Sequence, residues 1–262
     1  MKPQILSQTE AQTGIATVTL SNPDRLNAIT ASMWRELKLA MNALDADETL
    51  RCVLLRGAGE TFAAGGDIEE FLTLRDNYAQ AQVYHGEWVA AALESITTCR
   101  HPCVALIQGP CVGGGLEIAA QCDLRIAGES ASFGAPIMKL GFSMAHSELR
   151  GLLALAGTAT TLEILLEGRL LTAQEAFAKG LVTRVTADAQ VVEEAYATAK
   201  RIASGAPLVA RFHKQLVRRL AQDSSPLRPA EVLENFAYLD SSDYREGLAA
   251  FLEKRRPRFT GR

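Results

Sequence analysis

The chain has 262 residues, 48% hydrophobic and 22% charged, with a formal net charge of −3 and a pI near 5.9. That balance suits a soluble globular protein with one sizeable core, and it argues against a nucleic-acid footprint spread over the surface. The opening MKPQILSQTE lacks the apolar core of a signal peptide, and no unbroken apolar run of about 18 residues follows, so a cytoplasmic protein without a membrane span is expected.

In chain order, IATVTL (15–20) reads as a β-branched strand and NPDRLNA (22–28) as a loop of turn residues. Met33, Leu37, Ala40, Met41 and Leu44 recur at helical spacing, which predicts a helix over 32–44. CVLLRG (52–57) is a nearly continuous apolar run, as in a strand buried on both faces, and GAGETFAAGGD follows it as a small-residue loop. A helix is predicted over 79–98, then a second buried strand, CVALIQG (103–109), and short strands at 123–128 and 131–134. From about residue 145 helices dominate. TAQEAFAKG (172–180) has a capping-box pattern from Thr172 to Glu175 with Gly180 as its stop. LVTRVT (181–186) is a lone strand, and helices are predicted over 189–203, 207–221 and 229–254. The fold class is α/β.

The five cysteines (52, 99, 103, 111 and 122) have no framework spacing and read as reduced, structural thiols. CRHPC (99–103) puts His101 between two of them, but no second ligand pair stands at zinc-site spacing, and no metal is expected.

Two segments share one grammar: buried strand, small-residue loop, helix start. They are CVLLRGAGETFAAGGDIEEF and CVALIQGPCVGGGLEIAA. Each leaves backbone N–H groups without partners at a helix N-terminus, with no side chain to block approach. Two such donors aimed at one point bind a carbonyl oxygen that gains charge during reaction; losing one donor from an oxyanion hole costs ~2.7–4 kcal/mol of barrier. Glu117 follows the second loop at once. The P-loop spacing from Gly109 to Gly114 fails, because Gly115-Leu116 stands where Lys-Ser/Thr would hold phosphate. GESAS lacks the final glycine of a nucleophile elbow.

FAAGGDI (62–68) and GPCVGGGLEIAAQCDLRIAGESASFGAPIMKLG (109–141) resemble the enoyl-CoA hydratase/isomerase family, the crotonase superfamily. The resemblance extends to NPDRLNAI (22–29), LLTAQEAFAKGLVTRV (170–185) and FLEKRRPRF (251–259). It implies a spiral of ββα turns over residues 1–200 and a helical trimerisation region over 201–262, assembled as a homotrimer or a dimer of trimers. It implies an acyl-CoA thioester substrate, with no cofactor beyond the coenzyme A of that substrate. By motif position, the amides of Gly66 and Gly114 would hold the thioester oxygen. Leu26, Ala64, Gly65, Asp67 and Ile68 would lie along the CoA moiety. Lys254 would meet its phosphates, with a solvated basic tail as the alternative for that residue.

Hydratases of this family use two glutamates. Glu117 matches the first; the second follows the proline of an FGxPE segment, and here FGAPI puts Ile137 there. Downstream, FSMAHSELRGLLALAG (142–157) introduces His146 and Glu148. Glu148 in the first turn of a helix is either a replacement acid/base or a surface cap, and His146 is either a proton carrier or structural. Glu69 and Glu70 are expected to face solvent, and His85, Glu87 and Trp88 lie on a helix that could line an acyl pocket. The reaction expected is enoyl-CoA hydration or dehydration, with Glu117 on the water side. Double-bond isomerisation, decarboxylation of an acyl-CoA, and a catalytically weak acyl-CoA-binding protein are the alternatives.

Overall fold

Strands that read as unbroken apolar runs need cover on both faces, and the fold provides it. A computed structural model describes residues 2–262. Strand β1 (Gln4–Glu10) pairs antiparallel with β2 (Ile15–Ser21), and helix α1 (Ala31–Ala46) leads to β3 (Cys52–Gly57), parallel to β2. Single-turn helices α2 (Phe71–Leu74) and α3 (Tyr78–Ala81) precede a π-helical stretch, Gln82–Val89, which runs on into α4 (Ala90–Thr98). Then come β4 (Cys103–Ile107), β5 (Pro110–Val112), α5 (Gly114–Gln121), β6 (Leu124–Gly128) and β7 (Ser132–Gly134). The last part holds α6 (His146–Glu167), β8 (Leu171–Thr172), α7 (Ala173–Ala178), β9 (Arg184–Thr186), α8 (Val191–Ala203), α9 (Pro207–Gln222), α10 (Pro229–Asn235) and α11 (Ser242–Leu252).

One sheet runs β1-β2-β3-β4-β6-β9, parallel from β2 onward, and a smaller one runs β5-β7-β8. Alternate residues of the large sheet enter two cores. Val53, Leu55, Ala105 and Ile107 pack with α1, α4 and α5, whereas Cys52, Leu54, Val104 and Leu106 pack with Val191, Ala195 and Ala199 of α8. Burial on both faces is what removes the alternating pattern from β3 and β4. All five cysteines are buried free thiols. The His101 ring is fully buried without a hydrogen-bond partner among the described residues, and burial followed by the Arg211 charge lowers its pKa to about 4.

One expectation changes, and two further features lie outside the sequence reading. The helix predicted over 229–254 is divided into α10, a 3-10 turn (Ala237–Asp240) and α11, because Ser241 caps a new helix by accepting from Tyr244 N at 3.1 Å. Strand β1 has a weak signal of its own and forms through its ladder with β2. Helix α6 is long and apolar enough to cross a membrane by length and composition, although no unbroken apolar run marks it. Here Gly157 (φ 70°) breaks it, and Glu148, Leu152, Thr161 and Ile164 are buried within the fold. Helix α9 is bound to the sheet region by charge: Lys214 Nζ lies 2.9 Å from Asp123 Oδ2, and Arg218 Nη2 lies 2.7 Å from Asp123 Oδ1.

Candidate active site

Three short segments are zippered together to form the site. Buried Asn27 donates to Ala58 O (2.9 Å) and Thr61 O (2.7 Å), and its Oδ1 accepts from Asn22 N (3.0 Å), which fixes the NPDRLNAI loop to the end of β3. Ala64 N then donates to Leu26 O, Ile29 N to Gly65 O, and Asp67 N to Ile29 O, all within 3.0 Å. Ala63 exchanges bonds with the second loop, its N–H donating to Pro110 O and its C=O accepting from Val112 N, both at 3.0 Å. Gly65 (φ 116°) holds a backbone conformation that a side chain would strain.

This zipper leaves the Gly66 and Gly114 amides unused. No hydrogen bond among the described residues takes the Gly66 N–H, and Gly114 opens α5, where the first amides have no intrahelical acceptor. The two groups are close: a Cβ on Gly114 would lie 3.6 Å from Gly66 N. It would also lie 2.9 Å from Trp34 Cζ2, while one on Gly66 would lie 3.3 Å from Phe71 Cζ and 3.6 Å from Tyr84 Oη. Glycine is therefore needed at Gly114 for space, against an aromatic wall. Burial raises the pKa of Tyr84, and the nearby Trp34 indole N–H opposes that rise. Neither polar atom completes a hydrogen bond among the described residues, although both are buried.

Glu117 lies in the first turn of α5, 7% exposed, and no side-chain hydrogen bond reaches it among the described residues. Loss of solvation, followed by the charge of Glu148, pushes its pKa well above the usual carboxylate range. Glu148 is 4% exposed on α6, which packs on α5. Its Oε2 accepts from Ala145 N at 3.2 Å, so it does cap its helix, but from a buried position rather than from the surface. Its Oε1 lies 2.5 Å from His85 Nδ1, and His85 Nε2 lies 3.0 Å from Arg75 Nη1.

The remaining predicted positions divide. Leu26 (54% exposed, φ 49°) and Ile68 (46% exposed) stand out from the zipped loops, beside Ala64 and Gly65. Asp67 Oδ1 accepts from Glu69 N (3.2 Å) and pairs with Arg25 (3.3 Å), a loop-fixing geometry. His146, at the first position of α6, is exposed, because the helix turns Glu148 rather than His146 inward. Glu87 is exposed too. Glu70 does not simply face solvent as expected, since its Oε2 accepts from Ala31 N at 2.6 Å and secures the start of α1. Lys254 is exposed just beyond α11 with φ 54°. Ile137 sits half-buried in a 3-10 turn (Pro136–Leu140). Arg75 carried no signal in the sequence, and His85 only its place on a helix; the π-helical widening that aims His85 has no counterpart in α-helical periodicity.

Two glycine amides without acceptors among the described residues, aromatic side chains beside them and a buried acid in the first turn of α5 make up a donor and acid set of the kind that suits developing negative charge. The profile of the enoyl-CoA hydratase/isomerase family matches residues 10–262. A Rhizobium meliloti protein named "Probable enoyl-CoA hydratase" is 36% identical over 98% of both chains. Among solved structures, an enoyl-CoA hydratase/carnithine racemase from Magnetospirillum magneticum superposes with a TM-score of 0.95 at 49% identity, covering 100% of this chain and 97% of that one. An enoyl-CoA hydratase from Bacillus anthracis does so at 0.89 and 30% identity, covering 98% and 99%. The chain belongs to the enoyl-CoA hydratase/isomerase family: it is an enzyme with a crotonase-type α/β fold.

Proposed function

We propose that the protein hydrates enoyl-CoA thioesters, and in reverse dehydrates 3-hydroxyacyl-CoA thioesters, through a thioester enolate. The observation that carries this reading is the buried pair Glu117 and Glu148, placed where family position supplies only Glu117. The thioester oxygen takes the Gly66 and Gly114 N–H groups. Glu148 accepts a proton from water as the water oxygen bonds to Cβ, and the double-bond electrons move onto the thioester oxygen. The enolate then collapses as Cα takes the proton of Glu117. This reverses the expectation that Glu117 works on the water side; its elevated pKa supports a resting state that carries the proton. Proton exchange between the two carboxyl groups through solvent restores the starting state.

A protein that merely held acyl-CoA would gain nothing from a buried carboxyl group without a partner, since desolvation of that group destabilises its ionised form. In this reading Leu26, Ala64, Gly65, Asp67 and Ile68 border the CoA moiety, and Lys254 serves its phosphates in a homotrimer or dimer of trimers.

The test is loss of the enoyl-thioester absorbance of crotonyl-CoA. Glu117→Gln and Glu148→Gln are each expected to lower kcat by about 10²–10⁴-fold with little change in KM. Full activity in Glu148→Gln would remove it from the mechanism, and no hydration by the wild type would turn the search to isomerase and decarboxylase substrates.

A further inference from the structure

One string of contacts at the site has no role in that scheme. The Arg75 guanidinium carbon lies 3.8 Å from the Phe71 ring centre and 4.1 Å from that of Phe142. Arg75 is half-buried and has no ion pair of its own with a carboxylate among the described residues. It reaches one only through an imidazole: Arg75 Nη1 to His85 Nε2 at 3.0 Å, then His85 Nδ1 to Glu148 Oε1 at 2.5 Å.

Donor and acceptor chemistry fixes the protons along this string. A guanidinium has donors only, so His85 Nε2 must offer its lone pair, and the ring proton then sits on Nδ1. Nδ1–H donates to Glu148 Oε1, while Oε2 accepts from Ala145 N at 3.2 Å. Two donors, one to each oxygen, fix the plane of this carboxyl group and suit its acceptor-only carboxylate form. We propose that Arg75 and His85 are positioning residues that hold Glu148 as the ionised, oriented member of the acid pair, and so decide which carboxyl group begins as base. The inference rests on the reading of Glu148 as that base.

The backbone around His85 fits this role. The π-helical stretch changes the helical phase where Tyr84 turns inward and Gly86 and Glu87 turn to solvent. The charged and titratable groups around His85 come from every neighbouring element. They are Arg75 beyond α2, Glu148 of α6 and Tyr84, whose ring centre is 5.1 Å from that of His85; Arg35 of α1 stands over the neighbouring Trp88 ring, 4.9 Å from its centre. The charge of Glu70 acts on Tyr84, and that of Glu148 acts on Glu117 of α5. Arg75 is the cation in direct contact with the ring, at Nε2.

The test compares wild type, His85→Ala, His85→Gln, Arg75→Gln and Glu148→Gln in crotonyl-CoA hydration, with circular dichroism to establish folding. His85→Ala is expected to lower kcat by about 10²-fold while KM changes little. His85→Gln, whose amide can still donate to Glu148, should recover part of that loss. Arg75→Gln, whose amide can either donate to Nε2 or accept from an Nε2–H, no longer fixes the tautomer and is expected to lower kcat several-fold with KM little changed. Nitrogen-15 NMR of the ring reads the same point without turnover, and a neutral Nδ1–H tautomer is expected at neutral pH. Wild-type kcat in His85→Ala or in Arg75→Gln, with Glu148→Gln inactive, would overturn the relay and leave the hydratase reading standing. An Nε2–H tautomer or a protonated ring at neutral pH overturns it whatever the enzyme turns over.

Discussion

At Glu117 burial opposes ionisation. Its pKa in the folded protein lies above the unfolded value near 4.5, so between those two values the unfolded chain releases a proton that the folded chain keeps. The stability linked to this group is fully present below pH 4.5 and is lost as pH rises toward the folded pKa. Glu117→Gln, neutral at every pH, should therefore be more stable than wild type at neutral pH, by an amount within the range of single substitutions, about 0.5–3 kcal/mol. Its advantage should vanish near pH 4.5. Urea unfolding of both proteins at pH 5 and pH 8 checks this, and an advantage that does not grow with pH would show Glu117 ionised in the folded state. Glu117 was legible in the sequence from its place after three glycines, and Glu148 was legible as a titratable group near the lost glutamate position. Whether Glu148 was buried was not legible, because a helix start at residue 146 can turn its third residue either way.

At the scale of elements, a helix boundary depends on one hydroxyl. Ser241 Oγ accepts from Tyr244 N and donates to Tyr238 O at 2.6 Å, and Ser241 itself is buried. Ser241→Ala should cost about 0.5–2 kcal/mol as a lost N-cap, read as a lower urea midpoint with an unchanged m-value. An unchanged midpoint would mean that α11 is held by packing alone. The same residues explain why sequence periodicity overran this point: the apolar spacing of Phe236, Leu239 and Leu248 continues across it, and periodicity does not register a cap. The π-helical stretch was hidden for a related reason. Its residues fit a helix of ordinary pitch equally well, and only packing against α1 and α6 fixes the wider turn that aims His85.

Over the whole molecule, the C-terminal helices leave large apolar side chains in the open: Leu233 75%, Phe251 82% and Leu252 79% exposed. We propose that a second copy of this chain covers them, in a trimer or a dimer of trimers. Replacing Leu233 and Phe251 together by Asp should shift the mass seen by light scattering toward 28.2 kDa, the mass of one chain. A wild-type protein already at that mass would end the proposal. By itself, the sequence determined the α/β class, the two buried central strands, the glycine loops, Glu117 and the missing glutamate at Ile137. These are local properties: hydrophobic period, turn chemistry, and residue identity at motif positions. Only the tertiary structure decided that Glu148 faces inward while His146 does not, and that Arg75 and His85 reach Glu148. The contact between His85 and Glu148 joins residues 63 positions apart, on separate helices. Helix packing brings them together, and no spacing within either segment encodes it.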